Sequence, residues 1–438
     1  MAKKYVTTKE QDGVKIDKIE SQQSHAAIDN GVSTKLAIEG GIPAISESIR
    51  NGVPTWPIVS DETAENLKKA YLSGSWSFSG KNEQEFCRQF ATYHDAKHCV
   101  FMVNGTVTLE CALAALGIKA GDEVIVPAMT WVATAMAAVY MGAVPVFVDI
   151  EPKTLCMDPL KLEKAITKRT KAIIPVHLYG SMADMDAIMA IADRHGIPVI
   201  EDCAHAHGGM WGGRGVGSIG KVGSFSFQQS KNLSSGEGGA CLTNDKELAE
   251  KLFRLKHIGY EPASSQGKAQ SGPEEGLMCH NYRATEFQAV VLLDGLKKLR
   301  AQTELRDDNA KYLNSLIEGY PIKLQARGRK ASLQSYYNMV FLADMTVFNS
   351  APLSRLIEVL NAEGLPVGPT YPPVYLHPLW NVPQSAYRIA DDHCEVCEHV
   401  WRNSGIAMFH TWLLGNKQTM DSTAAAIQKV VKNKGHIS

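Results

Sequence analysis

The sequence predicts an α/β protein with a mainly parallel β-sheet in a large domain and a smaller α+β C-terminal domain. Short apolar runs alternate with helical stretches between about residues 106 and 202, which is the pattern of repeated strand–helix–strand units. After Asp202 the pattern changes to shorter strands and one long helix, which indicates a second domain. With 438 residues, 45% hydrophobic and 21% charged, the chain is long enough for both domains.

The chain divides into three predicted parts. Residues 1–34 are polar and show little periodicity. We interpret them as an extension outside the core, such as an arm on a partner subunit. Residues 35–300 are expected to form the large domain, and residues 301–438 the small C-terminal domain.

The predicted elements follow in chain order. Helices are expected at 60–73 and 82–94, before the alternating region. Within that region we expect strands at 123–126, 144–149, 172–177 and 199–202, with helices at 106–116, 131–141, 158–168 and 184–195. Beyond it we expect strands at 224–227, 240–243 and 337–342, helices at 285–306, 354–363 and 422–433, and a long functional loop at 259–276.

The uncharged segment 124–148 has the length of a membrane span, but its residues argue against one. Pro127 and Pro145 lie near its ends, and Gly142 lies between them. The helical part, 131–141, is too short to cross a bilayer, which takes about 20 apolar residues. The segment therefore predicts a strand, a helix and a strand in a buried core, and no membrane contact.

Charge and cysteine content argue against several classes of protein. The 45 lysines and arginines almost cancel the 46 acidic residues, so no overall field attracts nucleic acid. The nine cysteines are odd in number and no secretory signal precedes them, which predicts reduced thiols in a cytoplasm. Cys394 and Cys397 form a CxxC with His393 and His399 beside it. Because no second CxxC completes a four-ligand set and the segment is helical, we expect no metal site.

Two sites at helix and strand ends are candidates for ligand binding. Asn104-Gly105-Thr106 opens a helix, whose free N–H groups and positive dipole end suit a phosphate; an ordinary N-cap is the alternative. Glu201 and Asp202 follow an apolar run, at the strand end where ligands of open α/β sheets bind. A carboxylate at position 202 suits a protonated ring nitrogen or a metal, and a helix-capping aspartate is the alternative.

Lys231 and Trp131 are two further candidates. Lys231 leaves an apolar strand for a Gly-rich turn, where burial lowers the pKa of an amine and yields the neutral nucleophile of imine chemistry. A solvated turn lysine is the alternative. Trp131 follows the strand end at Pro127, where it either stacks on a planar ring or fills the core.

Taken together and in this order, these features resemble the DegT/DnrJ/EryC1/StrS family of pyridoxal-phosphate-dependent aminotransferases, which act on sugars and cyclitols. The resemblance extends from about Leu36 to about Gln428. It rests on the joint occurrence of LAIEGGIP at 36–43, SGSWS at 73–77, the Asn104 turn, PAMTW at 127–131, EDCAHAHG at 201–208, the segment 226–239, and NYRATEFQA at 281–289.

The resemblance implies fold type I, bound pyridoxal phosphate and a homodimer with shared active sites. It implies that Lys231 is the Schiff-base lysine, which also moves the substrate proton. It implies that Asp202 pairs with the pyridinium nitrogen, where a charged hydrogen bond keeps the ring an electron sink. These two are the predicted catalytic residues.

The other cofactor-binding residues are implied by the same resemblance. Trp131 is expected on one face of the ring, with Ala204 against the other face and His205 near the ring hydroxyl. The phosphate is expected to be held by Thr106, the backbone N–H groups around Gly105, Ser226 and, from the neighbouring subunit, Asn281.

Substrate contacts are also implied. Some family members have histidine in place of the lysine and act as dehydratases, so Lys231 favours amino transfer. Gln228 and the segment 409–415, which contains His410, resemble the glutamine-dependent cyclitol branch, typified by scyllo-inosose aminotransferases. Tyr371 and His377 match a segment that lines the substrate pocket in the family. Arg283 is the local cation that a nucleotide-bearing substrate would need.

The resulting prediction is amino transfer from L-glutamine or L-glutamate to a keto-cyclitol or keto-sugar by a ping-pong mechanism, in aminocyclitol or amino-sugar biosynthesis. One alternative is another enzyme of the family: a nucleotide-sugar aminotransferase, or an enzyme that eliminates water in forming an aromatic amino acid. A second is a pyridoxal-phosphate-binding regulator without turnover. The chain shows no basic helix-turn-helix pattern, which argues against a regulator.

Overall fold

The central feature of the fold is a β-sheet whose parallel strands end at a common edge. The computed structural model describes residues 34–262 and 267–437. Its strands are β1 (His98–Met102), β2 (Glu123–Pro127), β3 (Val144–Val148), β4 (Thr170–Ile173), β5 (Ile200–Asp202), β6 (Met210–Trp211), β7 (Arg214–Gly215), β8 (Val222–Ser226), β9 (Gly239–Thr243), β10 (Ile322–Leu324), β11 (Ala331–Leu333), β12 (Asn338–Ala343), β13 (Val367–Pro369), β14 (Arg388–Ile389) and β15 (Gly405–Phe409). Its α-helices are α1 (Glu47–Asn51), α2 (Asp61–Leu72), α3 (Lys81–Tyr93), α4 (Gly105–Ala115), α5 (Ala133–Tyr140), α6 (Pro159–Ala165), α7 (Met185–His195), α8 (Lys246–Lys256), α9 (Glu286–Leu316), α10 (Leu353–Ala362), α11 (Glu395–Asn403) and α12 (Lys417–Lys432).

Two four-stranded sheets combine into this central sheet. Parallel bridges between Ile173 and Val199 and between Val176 and Asp202 join them, so the order is β14-β3-β2-β4-β5-β8-β9-β1. Among these described strands, β9 alone runs antiparallel to its neighbours. The predicted mainly parallel sheet is therefore confirmed.

Burial on both faces explains why the central strands are continuous apolar runs. Every residue of β2 is buried, and α4 and α5 pack against each other beside the sheet. Parallel sheets are covered on both faces by their crossover helices, and their strands therefore lack the alternation of polar and apolar residues.

The uncharged segment 124–148 folds as predicted, into β2, α5 and β3. Among the residues that the structure describes, no helix combines the length and the apolar character that a membrane span needs. The helix predicted at 285–306 instead continues as α9 to Leu316. It continues because Ala310 and Leu313 keep an apolar face, which is buried in a second core.

The second core lies around an antiparallel sheet of order β10-β12-β15-β13, and it corresponds to the predicted smaller α+β part. Residues from α10, α12 and the end of α9 fill it, together with Leu36 and Ile45 from the start of the described chain. The intervening segment 374–400 packs against the first core, and its β14 pairs with β3. A small sheet of order β11-β6-β7 completes the described strands.

Two predicted features fall partly or largely outside the described residues. Residues 1–33 of the predicted extension are outside them, as are residues 263–266 of the predicted loop at 259–276. The domain boundaries at 34 and 300 stay predictions.

Candidate active site

A cavity of about 480 Å³ lies at the carboxyl ends of β5 and β8. This is the edge where the predicted strand ends meet, and it is the usual ligand position in α/β folds. Ten of the predicted cofactor- and substrate-binding residues line it: Gly105, Thr106, Trp131, Asp202, Ala204, His205, Ser226, Gln228, Lys231 and Tyr371.

Lys231 is buried in this cavity, in the turn that follows β8. Its side chain lies against Tyr337, with Nζ 4.3 Å from the ring centroid, and the residue is only 9% exposed. Burial lowers the pKa of Lys231 to about 8, although the nearby charge of Asp202 opposes the shift. The solvated turn lysine is therefore excluded, and a nucleophilic neutral amine is available at mildly alkaline pH.

Asp202 ends β5 with its carboxylate in the cavity wall. Oδ2 accepts a hydrogen bond of 2.8 Å from Thr134 Oγ1, and Oδ1 accepts one of 3.1 Å from the backbone N–H of Ala204. Burial raises the pKa of the carboxyl group, while these donors and Lys231 act against the rise. The oxygens are thus oriented and still face a cationic amine.

The adjacent Glu201 has a different, structural role. Side chains alternate along a strand, so its carboxylate lies on the other face of β5. There it accepts hydrogen bonds from the backbone N–H groups of Gly217, Ile219 and Gly220 and contacts His177 Nε2 at 3.1 Å. Burial raises its pKa, but the bonds from His177 and the backbone lower it overall. Of the two acids, only Asp202 is directed at the cavity.

His205 presents a neutral ring to the cavity. The ring stacks on Tyr337 at a centroid distance of 3.9 Å, and Nδ1 accepts a hydrogen bond of 3.3 Å from the Tyr179 backbone N–H. Burial holds the pKa of His205 well below its usual value. Because Nδ1 is an acceptor in a neutral ring, Nε2 carries the hydrogen and is a donor.

The start of α4 and the end of β8 form a cradle for an anion. A Cβ on Gly105 would lie 2.5 Å from Ser226 Cβ, so only glycine permits this approach. Asn104 caps the helix by accepting from the Val107 backbone N–H at 3.0 Å. The hydroxyls of Thr106 and Ser226 line the cavity beside the free N–H groups, which is a suitable environment for a phosphate.

Trp131 lies at the cavity and is not a core residue. Its side chain is 42% exposed, with His377 edge-on at 5.5 Å and Tyr371 tilted at 5.8 Å between ring centroids. Tyr371 lines the cavity and its backbone N–H donates to Tyr179 Oη at 2.7 Å. His377 is outside the lining, and its Nδ1 accepts from the Leu379 backbone N–H.

Three other predicted residues are not brought to the cavity of this chain. His410 was expected to contact substrate, but it is fully buried below the lysine, with Nε2 3.2 Å from the carbonyl oxygen of Ser230. Asn281 is exposed, and its backbone pairs with His257 in an isolated bridge. The guanidinium carbon of Arg283 lies 5.4 Å from the centroid of the Phe78 ring.

Sequence reasoning missed several residues that shape the site. Thr134 orients Asp202, and Tyr337 contacts both Lys231 and His205. Ser230 Oγ lies 2.9 Å from Tyr337 Oη. Thr134 was detectable as a hydroxyl in the first turn of α5, shortly after the strand end at Pro127. Tyr337 directly precedes β12 and lies 107 residues from Ser230, and no local pattern connects it with the turn.

The assembled groups fit pyridoxal phosphate. The cradle of α4 and Ser226 offers N–H and hydroxyl donors to a phosphate, and the buried amine of Lys231 is the partner for an aldehyde. Asp202 is a buried carboxylate, and each of its two oxygens accepts a hydrogen bond from a different donor. A carboxylate oriented in this way suits a protonated ring nitrogen.

Comparison with known proteins identifies the family of this chain. The model of the DegT/DnrJ/EryC1/StrS aminotransferase family matches residues 57–402. The L-glutamine:2-deoxy-scyllo-inosose aminotransferase of Streptoalloteichus tenebrarius is 40% identical, over 92% of this chain and 99% of the relative. The L-glutamine:scyllo-inosose aminotransferase of Streptomyces griseus is 37% identical, over 93% of this chain and 100% of the relative.

Solved structures show the same fold. The crystal structure of 3-amino-5-hydroxybenzoic acid synthase is 32% identical and superposes with a TM-score of 0.76, covering 87% of this chain and 99% of that one. The predicted fold type I is confirmed by this likeness, as is the prediction of a pyridoxal-phosphate enzyme.

Proposed function

The chain belongs to the DegT/DnrJ/EryC1/StrS aminotransferase family and is a pyridoxal-phosphate-dependent aminotransferase, and on this premise we propose its substrates. It moves the amino group of L-glutamine or L-glutamate to a keto-cyclitol or a related keto-sugar, by a ping-pong mechanism. The single observation that carries the proposal is Lys231, a buried amine with a pKa of about 8 that shares a cavity with Asp202. The names of the two relatives supply the substrate class.

The lining of the cavity supports a cyclitol over a nucleotide-linked sugar. Lys231 is the one lysine or arginine among the described residues that line it. A nucleoside diphosphate carries charges that proteins hold with such cations, whereas a cyclitol needs only hydroxyl and amide partners. Gln228 and Tyr371, which also line the cavity, are partners of that kind.

Each residue near the cofactor has a proposed role. When bound, pyridoxal phosphate supplies an electron sink for the carbon that gains or loses the amino group. The amine of Lys231 would hold the cofactor covalently and, once freed by the donor, would move the substrate proton. Asp202 holds the ring nitrogen protonated. Thr106 and Ser226, with the N–H groups around Gly105, hold the phosphate.

The aromatic residues are proposed to orient the ring. Trp131 would stack on one face of the ring and Ala204 would lie against the other. His205 would donate from Nε2 toward the ring hydroxyl, because its Nδ1 accepts from the Tyr179 backbone N–H. Together these residues would hold the ring in one orientation.

The absorbance spectrum of the purified protein tests the donor half of the proposal. We expect a yellow band from the lysine-bound cofactor, which L-glutamine converts to the pyridoxamine form and which a 2-deoxy-scyllo-inosose or scyllo-inosose acceptor then restores. Lys231→Ala should lack the normal band, whereas Lys221→Ala, at a half-exposed lysine paired with Asp245, should retain it. A cofactor band that neither glutamine nor glutamate shifts would overturn amino transfer and favour the elimination reaction.

We also propose a homodimer with shared sites that acts in the cytoplasm. Asn281 is exposed in the single chain, as expected for a residue that reaches the neighbouring subunit's phosphate. All nine cysteines, which lie in the described part of the chain, are free thiols, which suits a reducing compartment.

Subunit mixing tests the shared site. Lys231→Ala and Asn281→Ala chains should each be inactive alone and should regain activity when refolded together. In the mixed dimer one site holds an intact lysine and an intact asparagine, and the other holds neither. Recovery of up to half the wild-type activity per mixed dimer is expected, and no recovery would contradict the arrangement.

A further inference from the structure

The turn that carries Lys231 is held by residues from distant parts of the chain. We define residues 228–232 as the lysine turn. The carbonyl oxygen of Gln229 accepts from Trp56 Nε1 at 3.0 Å, and Asn232 Nδ2 donates to the carbonyl oxygen of Ser335 at 2.9 Å. None of these partners is close in sequence, so tertiary contacts set the conformation of the turn.

A further contact to the turn comes from a fully buried pair, Arg306 and His410. The guanidinium NH2 of Arg306 lies 3.1 Å from His410 Nδ1, and His410 Nε2 lies 3.2 Å from the carbonyl oxygen of Ser230. Burial lowers the pKa of Arg306 to about 9, so its charge remains at neutral pH. A charged guanidinium has only donors, and His410 Nδ1 must therefore accept.

This determines the state of the histidine. Burial holds the pKa of His410 well below its usual value, and the positive charge of Arg306 lowers it further, so the ring is neutral. With Nδ1 an acceptor, Nε2 carries the hydrogen and donates it to the Ser230 carbonyl. The ring is thus a fixed link between the guanidinium and the turn.

Arg306 is not explained by an ion pair. Among the described residues no carboxylate pairs with it, and burial alone lowers its pKa; the centroid of the Trp56 ring lies 5.6 Å from its guanidinium carbon. The next residue in α9, Asp307, does form ion pairs, with Arg327 and Lys311. A buried cation without a counter-ion destabilises a fold, and such groups concentrate at functional sites.

We propose that Arg306 and His410 are positioning residues for Lys231, acting through the carbonyl group of Ser230. That carbonyl belongs to the peptide group that carries the lysine's own backbone nitrogen, so fixing it fixes the origin of the side chain. The kinetic consequence rests on the proposed amino transfer; the geometric link does not. His410 accordingly serves the reaction from below the turn and does not contact substrate.

The lysine's surroundings give the link a measurable effect. The titratable groups facing Lys231 are Asp202, the neutral rings of His205, His207 and His410, and the phenol of Tyr337. If the turn loosens, the amine gains solvent and its pKa returns from about 8 toward the value of a free lysine. The pH at which the apoprotein captures pyridoxal phosphate half-maximally should rise with it.

The first test is the tautomer of His410 in the apoprotein, which does not depend on activity. Nitrogen NMR of the protein with labelled histidine, with the signal assigned by its loss in His410→Gln, should show hydrogen on Nε2 and none on Nδ1. In Arg306→Met this preference should be lost, and in Arg306→Lys it should remain. Hydrogen on Nδ1 in the wild type, or an unchanged tautomer in Arg306→Met, would overturn the proposal.

The second test separates positioning from a structural role. His410→Phe should reduce kcat about 100-fold, as small misplacements of reacting groups do, with little change in KM for the amino donor. It should also raise the pH midpoint of pyridoxal phosphate capture, and His410→Gln, which keeps a donor for the carbonyl, should restore most of both. Arg300→Met is the control, because it breaks an exposed ion pair with Glu304 on the same helix, away from the turn.

A folded His410→Phe protein with wild-type kcat and capture profile would overturn the proposal. If that variant does not fold, the same measurements are made on Arg306→Met. If neither variant folds, the tautomer of His410 in the wild-type apoprotein decides. Failure of the proposed amino transfer is distinguishable, because it would leave the tautomer and the capture profile as expected while abolishing turnover in the wild type.

Discussion

At the scale of single residues, burial determines what each group of the site does. Lys231 has a lowered pKa because it is removed from water, and Asp202 has a raised one for the same reason. The sequence predicted both positions, since each follows an apolar strand. It singled out Asp202 but not the structural role of Glu201, because only the fold shows which face of β5 is lined with backbone N–H groups.

Burial of the lysine should cost stability in the apoprotein. Because its pKa is lowered from 10.5 to about 8, the unfolded state binds more protons between these values, and the wild type gains stability as pH rises through that window. Lys231→Met, which has no amine, should therefore be more stable below pH 8, by up to about 3 kcal/mol, and the difference should shrink toward pH 10.5. Urea unfolding across this range measures it. Lys221→Met should show no such dependence, and parallel curves for Lys231→Met would refute the burial argument.

Substitution of Asp202 should lower turnover, whereas substitution of the neighbouring Glu201 should lower stability. Asp202→Asn loses a charged hydrogen bond to the cofactor, so kcat should fall about 10- to 100-fold while the melting temperature changes little. Glu201→Gln should lower the melting temperature, because its backbone and His177 partners lose a charged acceptor. Kinetics and thermal unfolding of both variants decide this. Loss of stability in Asp202→Asn alone would reverse the assigned roles.

At the scale of elements, the sequence predicted those with a long periodic signal. The strands and helices of the alternating region were predicted within a few residues, because their apolar runs are buried on both faces. Strands of two or three residues, such as β6, β7 and β14, were missed since they are too short for a periodic pattern. Tyr337 contacts the lysine turn, and Arg306 contacts His410, across more than 100 residues of chain. No local sequence pattern could connect them with the turn.

The junction of α4 with β8 is where an element's position controls the site. Gly105→Ala would place Cβ 2.5 Å from Ser226 Cβ and 3.0 Å from its Cα, and this backbone-lined space has no flexible neighbour to move. The start of the helix must then move away from the strand. The affinity of the apoprotein for pyridoxal phosphate should therefore fall at least about tenfold. Titration of apoprotein with cofactor measures this. Gly368→Ala, where a Cβ meets nothing within 4 Å, is the matched control, and equal affinities in the two variants would contradict the cradle.

At the scale of the whole molecule, the two ends of the described chain are tied together at the second core by one buried acid. Glu363 accepts hydrogen bonds of 2.8 Å from the backbone N–H groups of Ala37 and Ala44, and Lys429 Nζ lies 2.8 Å from its Oε2. Both charged side chains are almost completely buried, at 0% and 4% exposure. Removing one partner of such a pair leaves an uncompensated charge, which costs about 3–5 kcal/mol.

Glu363→Ala should therefore destabilise the protein by about that amount, and Glu363→Gln, which keeps an acceptor for one N–H group, by less. Since the second core also includes Tyr336, whose carbonyl oxygen accepts a hydrogen bond from Asn232 in the lysine turn, the loss should extend to the active site. Chemical unfolding measures the stability, and cofactor capture at denaturant concentrations below the unfolding transition measures the transmission. Glu358→Ala, at an exposed pair with Arg355, should change neither. If Glu363→Ala lowers stability but leaves capture by the remaining folded protein unchanged, the second core supports the fold without setting the geometry of the lysine turn.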